Sequence, residues 1–86
     1  MISLKQAYDI ARKYEHKFGN TLSVIVEYEE AYGFRFIPGD DPDAQYAGGW
    51  SVAVDKKTGR AFEVYLFSDE WLKLHFVNNI PRNKVL

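Results

Sequence analysis

Cysteine is absent from this sequence of 86 residues, and its absence excludes several kinds of chemistry. Without a thiol there is no disulfide, no cysteine-ligated zinc site and no cysteine nucleophile, which suits a reducing compartment. No apolar run approaches the length that spans a membrane, and the opening segment MISLKQAYDIARKY lacks the apolar core of a signal peptide. We therefore expect a cytoplasmic protein without membrane contact.

Patterns that carry catalysis are also missing. Histidine occurs twice, at His16 and His75, and neither belongs to an HxH or HExxH pattern. No serine has the G-x-S-x-G context of a hydrolase nucleophile, and Ser3 and Ser68 are better interpreted as helix caps. The sequence therefore predicts no catalytic residue and a protein that is not an enzyme.

Metal and phosphate sites lack their usual signatures as well. The aspartates Asp40, Asp41 and Asp43 resemble part of a calcium loop, but the twelve-residue spacing and terminal glutamate of such a loop are absent. Gly48 and Gly49 are not followed by the lysine and hydroxyl residue of a phosphate-binding loop. We expect no metal and no cofactor.

The residues that are present indicate one globular domain over residues 1–86. Hydrophobic residues make up 47% of the chain and aromatic residues 16%, which is enough to form a core and to exclude intrinsic disorder. A chain this short has room for a single core only.

Periodicity predicts the elements of this domain. Ser3 and Gln6 form a capping-box pattern, and apolar residues at helical spacing predict a helix over 4–18 that ends at Gly19. Four alternating segments predict two β-hairpins: Leu22–Tyr28 with Tyr32–Phe36, and Trp50–Val54 with Phe62–Leu66. The fold class expected is α+β, with an N-terminal helix packed on a four-stranded antiparallel sheet.

A short C-terminal helix completes the predicted fold. Ser68 would cap it, and Asn78, Asn79 and Pro81 would end it. The residues between are apolar nearly all round, which indicates close packing or a contact surface.

Charge is unevenly distributed although the net charge is only −1. Residues 27–43 contain six acids and one base, Arg35, and this local balance of −5 disfavours nucleic acid as a ligand. Clustered acids steer basic partners, and tyrosines supply contact area. The predicted partner-binding residues are Glu27, Glu29, Glu30, Tyr32, Asp40, Asp41, Asp43 and Tyr46. The opposing interpretation is that Tyr32 belongs to the core and the acids only aid solubility.

The opening segment and the segment GGWSVAVDKKTGRAFEV together carry a family resemblance. Ile2-Ser3, Ala7, Ala11, Gly49-Trp50 and the hairpin Val54–Gly59 resemble the YrhB-like family, also called the immunity protein 35 family. The residues after the hairpin depart from the family pattern. The resemblance implies an immunity protein of a polymorphic toxin system: a cytoplasmic inhibitor that binds a cognate toxin stoichiometrically, without catalysis.

Three alternatives remain open. A cystatin-like or nuclear-transport-factor-like module would bind a protein other than a toxin. An enzyme would need a pocket on the open sheet face, where we expect Ile25, Glu27, Arg35, Glu63 and Tyr65 to project. A self-associating protein would place Trp71, Leu74 and Phe76 at a homodimer contact, although we expect a monomer rather than a homodimer.

Overall fold

The N-terminal helical segment begins where the sequence predicts. The computed structural model describes residues 1–44, 50–65 and 67–86, with only the backbone of Trp50. The Ser3 hydroxyl accepts from the Gln6 amide (3.1 Å) and the Gln6 side chain accepts from the Ser3 amide (2.8 Å), which confirms the capping box. Helix α1 (Leu4–Ala11), a 3₁₀ turn (Arg12–Tyr14) and α2 (Glu15–Phe18) follow one another. None of the described helices is long and apolar enough to cross a membrane.

The sheet has five antiparallel strands, so the prediction of four is wrong. They are β1 (Thr21–Tyr28), β2 (Ala31–Ile37), β3 (Trp50–Asp55), β4 (Ala61–Tyr65) and β5 (Phe76–Ile80). Their order is β4-β3-β2-β1-β5, with β1 to β4 forming a meander. Both predicted hairpins are therefore present, and β5 is added beside β1.

The predicted C-terminal helix is reduced to one turn. Ser68 caps it as expected by accepting from the Trp71 amide (3.2 Å), but the helix α3 covers only Asp69–Leu72. Phe76 and Val77, expected to continue it, belong to β5 instead, and the asparagines expected to end it lie in the same strand, with Asn79 opposite Val26. The free edge of β1 offers this segment strand pairing, and such a tertiary contact outweighs the weak local preference for a helix.

A β-bulge in β1 changes which side chains enter the core. The register shifts between Leu22 and Val24, and beyond this shift the alternation of the strand is reversed. Ile25, expected on the open face, is therefore 1% exposed in the core, whereas Val24 is 39% exposed. Glu63, also expected on the open face, lies on the helix side of the sheet instead, where its carboxylate forms an ion pair with the Lys17 ammonium of α2 (2.7 Å).

Apolar clusters cover both faces of the sheet. The cluster on the helix side contains Ala7, Tyr8, Ala11, Leu22, Ile25, Phe34, Phe36, Val52, Val54 and Val85. A smaller cluster on the other face joins Ala31, Ala53 and Val64 to Trp71 and Leu74. Because each fully buried aliphatic or aromatic side chain contributes about 1.5–3 kcal/mol, the first cluster dominates the stability of the fold.

Gly19 connects the helical segment to the sheet at very close range. Its φ is +144°, and a Cβ built at this position would lie 2.1 Å from the carbonyl carbon of Ile37. A side chain cannot be accommodated there unless the end of β2 moves. Gly19, which was predicted to end the helix, therefore also allows its backbone to contact the backbone of Ile37 at the end of β2.

Replacement of Gly19 tests this close approach. We expect Gly19→Ala to lower the free energy of unfolding by roughly 2–4 kcal/mol, because steric overlap adds to backbone strain. The matched control is Gly39→Ala, which also has a positive φ (+94°) but no atom within 4 Å of a built Cβ. Urea denaturation should show a loss of about 1 kcal/mol for the control. Equal losses would contradict the importance of the contact.

Candidate protein-binding surfaces

The acidic residues predicted to form one surface are divided between two ends of the sheet. Glu29 and Glu30 form the β1–β2 turn, whereas Asp40, Asp41 and Asp43 follow the far end of β2. A strand of seven residues spans about 20 Å, which is more than twice the Debye length of about 8 Å at physiological ionic strength. The two groups therefore form electrostatically separate acidic patches.

Glu27 is engaged inside the fold. Its carboxylate accepts from the Lys56 ammonium (2.8 Å) and from the Asn78 side-chain amide (3.1 Å). Lys56 is only 7% exposed, and its Nζ lies 4.8 Å from the centre of the Tyr32 ring. The hydrogen bond from Lys56 lowers the pKa of the Glu27 carboxyl, with a smaller contribution from Asn78. Glu27 and Tyr32 thus compensate and cover a buried cation.

Glu30 holds the chain that enters β5. It accepts from the backbone amide of His75 (2.9 Å) and contacts His75 Nδ1, while the Glu29 amide donates to the His75 carbonyl (2.9 Å). The backbone hydrogen bond from His75, followed by the ring contact, lowers the pKa of Glu30. The same contact raises the pKa of His75. Of this pair of glutamates, Glu29 is the more exposed.

The same contacts bring together a group of possible metal ligands. One donor atom each from Glu29, Glu30 and His75 lies within 4.8 Å of the others. Carboxylate oxygen and imidazole nitrogen are suitable donors for zinc and related ions. All three side chains are exposed to solvent, and the hydrogen bonds between Glu30 and His75 already account for their proximity.

The loop after β2 is held at several points and still exposes two carboxylates. The Thr21 hydroxyl donates to the Gly39 carbonyl, and the Ser23 hydroxyl donates to the Pro42 carbonyl (2.9 Å). Asp41 Oδ1 accepts from the Asp43 amide (3.0 Å) in an Asx turn.

Asp43 is linked to Arg82 (3.1 Å), while Asp40 and Asp41 lie exposed. Among the sequence-predicted contact residues, Tyr46 lies outside the described residues. We call residues 39–43 the acidic loop.

Three basic or polar residues that the sequence reasoning did not assign complete these sites. Lys56 compensates Glu27, His75 contacts Glu30, and Arg82 pairs with Asp43 while donating to the Ser23 carbonyl (2.9 Å). In the hydrogen bonds made by Lys56, His75 and Arg82, the two partners lie 29 to 59 residues apart in the sequence. Contacts between residues so far apart in the sequence leave no local motif. The only signal in the sequence is that Lys56, His75 and Arg82 carry side chains able to pair with a carboxylate.

An open depression lies beside the end of β5. Its volume is about 550 Å³, and its lining includes Val24, Ile80, Leu86 and Arg82. Arg82 supplies the charge among the described lining residues, and its guanidinium is already bound to Ser23 and Asp43. Acid–base catalysis needs a positioned proton donor or acceptor, and the described side chains of this lining include no carboxylate, imidazole or ammonium group.

Comparison with known proteins provides no relative from which a function can be transferred. Neither a family model, nor a curated protein, nor a solved structure matches this chain.

The Glu27–Lys56 pair allows a direct test of compensation. We expect Glu27→Gln to lower the free energy of unfolding by about 1–3 kcal/mol, because it leaves a buried ammonium without its carboxylate. Lys56→Met removes the charge and retains an unbranched stem against Tyr32, so in the Glu27→Gln background it should recover part of the loss. A double-mutant cycle by urea denaturation measures the coupling. Strictly additive effects would show that the pair is not coupled.

The Glu30–His75 contact should make stability depend on pH. A lowered carboxyl pKa contributes stability above the ordinary glutamate value that is lost as the pH falls through the lowered pKa. A raised histidine pKa contributes stability below about pH 6.5 that is lost as the pH rises through the raised pKa. The stabilisation should therefore be greatest between about pH 5 and 6.5.

Thermal unfolding of the unmodified chain and of Glu30→Gln across pH 3–9 measures this contribution. We expect the difference between the two proteins to pass through a maximum in the stated window. Glu29→Gln is the control, because it removes the same charge from the adjacent residue and keeps the hydrogen bonds of Glu30. Glu29 makes only the smallest contribution to the raised pKa of His75, so the maximum for this variant should be much lower than that for Glu30→Gln. A difference that stays constant with pH would refute the contribution of the ion pair.

Proposed function

We propose that this chain is a stoichiometric inhibitor that binds another protein, and specifically an immunity protein that neutralises a bacterial toxin. The acidic loop is the contact that we assign to a basic surface of the toxin. The observation that carries this proposal is a loop anchored to β1 and Arg82 that leaves the carboxylates of Asp40 and Asp41 facing solvent.

Anchoring favours binding because it reduces the entropy lost on association. A loop already held by two hydroxyl hydrogen bonds, an Asx turn and an ion pair has less conformational freedom to lose. The exposed carboxylates remain hydrated until the partner arrives, so they accelerate encounter with a basic surface. This combination supports recognition without a catalytic group.

The class of partner comes from the sequence resemblance. The capped N-terminal helix and the Val54–Gly59 hairpin carry the likeness to the immunity family, and that likeness implies a toxin as the target. A toxin that acts on nucleic acid has a basic cleft, which the acidic loop would occupy or cover. A cystatin-like or nuclear-transport-factor-like module remains the competing proposal.

Co-expression with the large open reading frame adjacent to the gene tests this function. We expect the chain to rescue growth from the toxicity of that product and to form a 1:1 complex with it. Absence of both rescue and complex would reject the immunity role and favour the competing module.

Charge-neutral variants then test the role of the acidic loop. Asp40→Asn/Asp41→Asn should slow association with the toxin about tenfold at low salt, because rim charges act mainly on the association rate. The asparagine that replaces Asp41 keeps a side-chain oxygen that can accept from the Asp43 amide. The matched control, Asp9→Asn/Glu15→Gln, removes two charges from the helical segment and should change the rate little. Stopped-flow mixing distinguishes these results, and equal effects of both pairs would contradict the assignment.

A further inference from the structure

Three side chains that can bind a metal ion meet at the point where the chain enters β5. Glu29 and Glu30 form the β1–β2 turn, and His75 directly precedes β5. All three are exposed, and one donor atom from each lies within 4.8 Å of the other two. Ligands about 2.1 Å from a tetrahedral ion lie roughly 3.4 Å apart, so a small rotation of these exposed side chains brings the three atoms onto one ion.

Hydrogen bonds that leave donor atoms available hold the three residues in place. The Glu29 amide donates to the His75 carbonyl, and Glu30 Oε1 accepts from the His75 amide, both at 2.9 Å. The Glu29 carboxylate, Glu30 Oε2 and the His75 imidazole remain for an ion. Ligating carboxylates are commonly oriented by such an additional hydrogen bond. The residues are therefore arranged before an ion arrives, which reduces the entropy lost on binding.

The negative charge of the two glutamates is not neutralised by a neighbouring basic side chain. None of the ion pairs between described residues joins a lysine or arginine to Glu29 or Glu30. Glu30 Oε2 contacts His75 Nδ1 through a shared proton, and a metal ion replaces that proton as the bridge between the two atoms. Two carboxylates and a neutral imidazole then balance the charge of a divalent cation.

The imidazole indicates which class of ion fits. Magnesium and calcium select oxygen ligands, whereas imidazole nitrogen suits zinc and neighbouring divalent transition metals. We propose that Glu29, Glu30 and His75 bind one divalent transition-metal ion, best matched by Zn²⁺, with water in the remaining coordination positions. The site is separate from the acidic loop and does not depend on the proposed immunity function.

This site reverses the expectation that the chain binds no metal. No motif indicates it, because the histidine lies 45 positions after Glu30 and reaches the turn only through the pairing of β5 with β1. The bound ion links the β1–β2 turn to the chain that enters β5. Because its ligands come together in the folded chain only, the ion stabilises the fold by mass action.

Zinc titration of the chain and of Glu29→Gln tests the site. The contact of Glu29 with His75 is made by its backbone, so this variant keeps the hydrogen bonds that hold the entrance to β5. We expect calorimetry to show one Zn²⁺ per chain with micromolar affinity, and Glu29→Gln and His75→Ala each to weaken it at least about tenfold. The matched controls, Asp40→Asn and His16→Ala, remove the same groups elsewhere and should leave the affinity unchanged.

Thermal unfolding provides an independent readout of the same site. Excess Zn²⁺ should raise the Tm of the unmodified chain and should raise that of Glu29→Gln much less. Mg²⁺ and Ca²⁺ at the same concentration should have little effect, and stabilisation by them equal to that by Zn²⁺ would overturn the assigned class of ion. Absence of saturable 1:1 binding, or equal affinities of Glu29→Gln and Asp40→Asn, would overturn the site itself.

Discussion

The pairing of β1 with β5 is the contact on which the position of the C-terminal segment and its contacts with the acidic residues depend. It converts a four-stranded meander into a five-stranded sheet and places the C-terminal segment along the strand that carries the first acids. Three residues of that segment then meet three acids: His75 contacts Glu30, Asn78 donates to Glu27 and Arg82 pairs with Asp43. The electrostatics of the surface are therefore set by strand pairing.

This arrangement changes what the acidic composition means. The sequence interval that contains six acids has a formal balance of −5, yet three of these acids serve internal contacts. Glu27 compensates a buried lysine, and Glu30 anchors the chain ahead of β5. The negative charge that stays exposed lies on Glu29 at one end of the sheet and on Asp40 and Asp41 at the other. A count of charge along the sequence overstates the field at either end.

Local signals in the sequence predict the elements that local interactions form. The Ser3–Gln6 capping box and the glycine that ends the helix are confirmed, as are the two hairpins. These local signals fail where contacts between residues distant in the sequence determine the secondary structure or the face on which a side chain lies. A bulge near Ser23 reverses the expected faces of Val24 and Ile25, and no residue type in β1 requires it. The helical interpretation of Phe76 and Val77 is wrong because these residues pair with the edge of β1, about fifty residues earlier in the chain. The partners of Glu27 and Glu30 are likewise distant in sequence, so no local pattern indicates them.

The position of β5 also determines the order in which the fold is completed. The helical segment and the meander are built from neighbours in the sequence, whereas β5 pairs Asn79 with Val26 and must close a long loop first. Contacts of such sequence separation form slowly. During synthesis, β1 therefore waits with one edge unpaired until the ribosome has released residues 76–80. In that interval the nascent chain exposes the unpaired edge of β1, and such transiently unpaired edges are prone to aggregation.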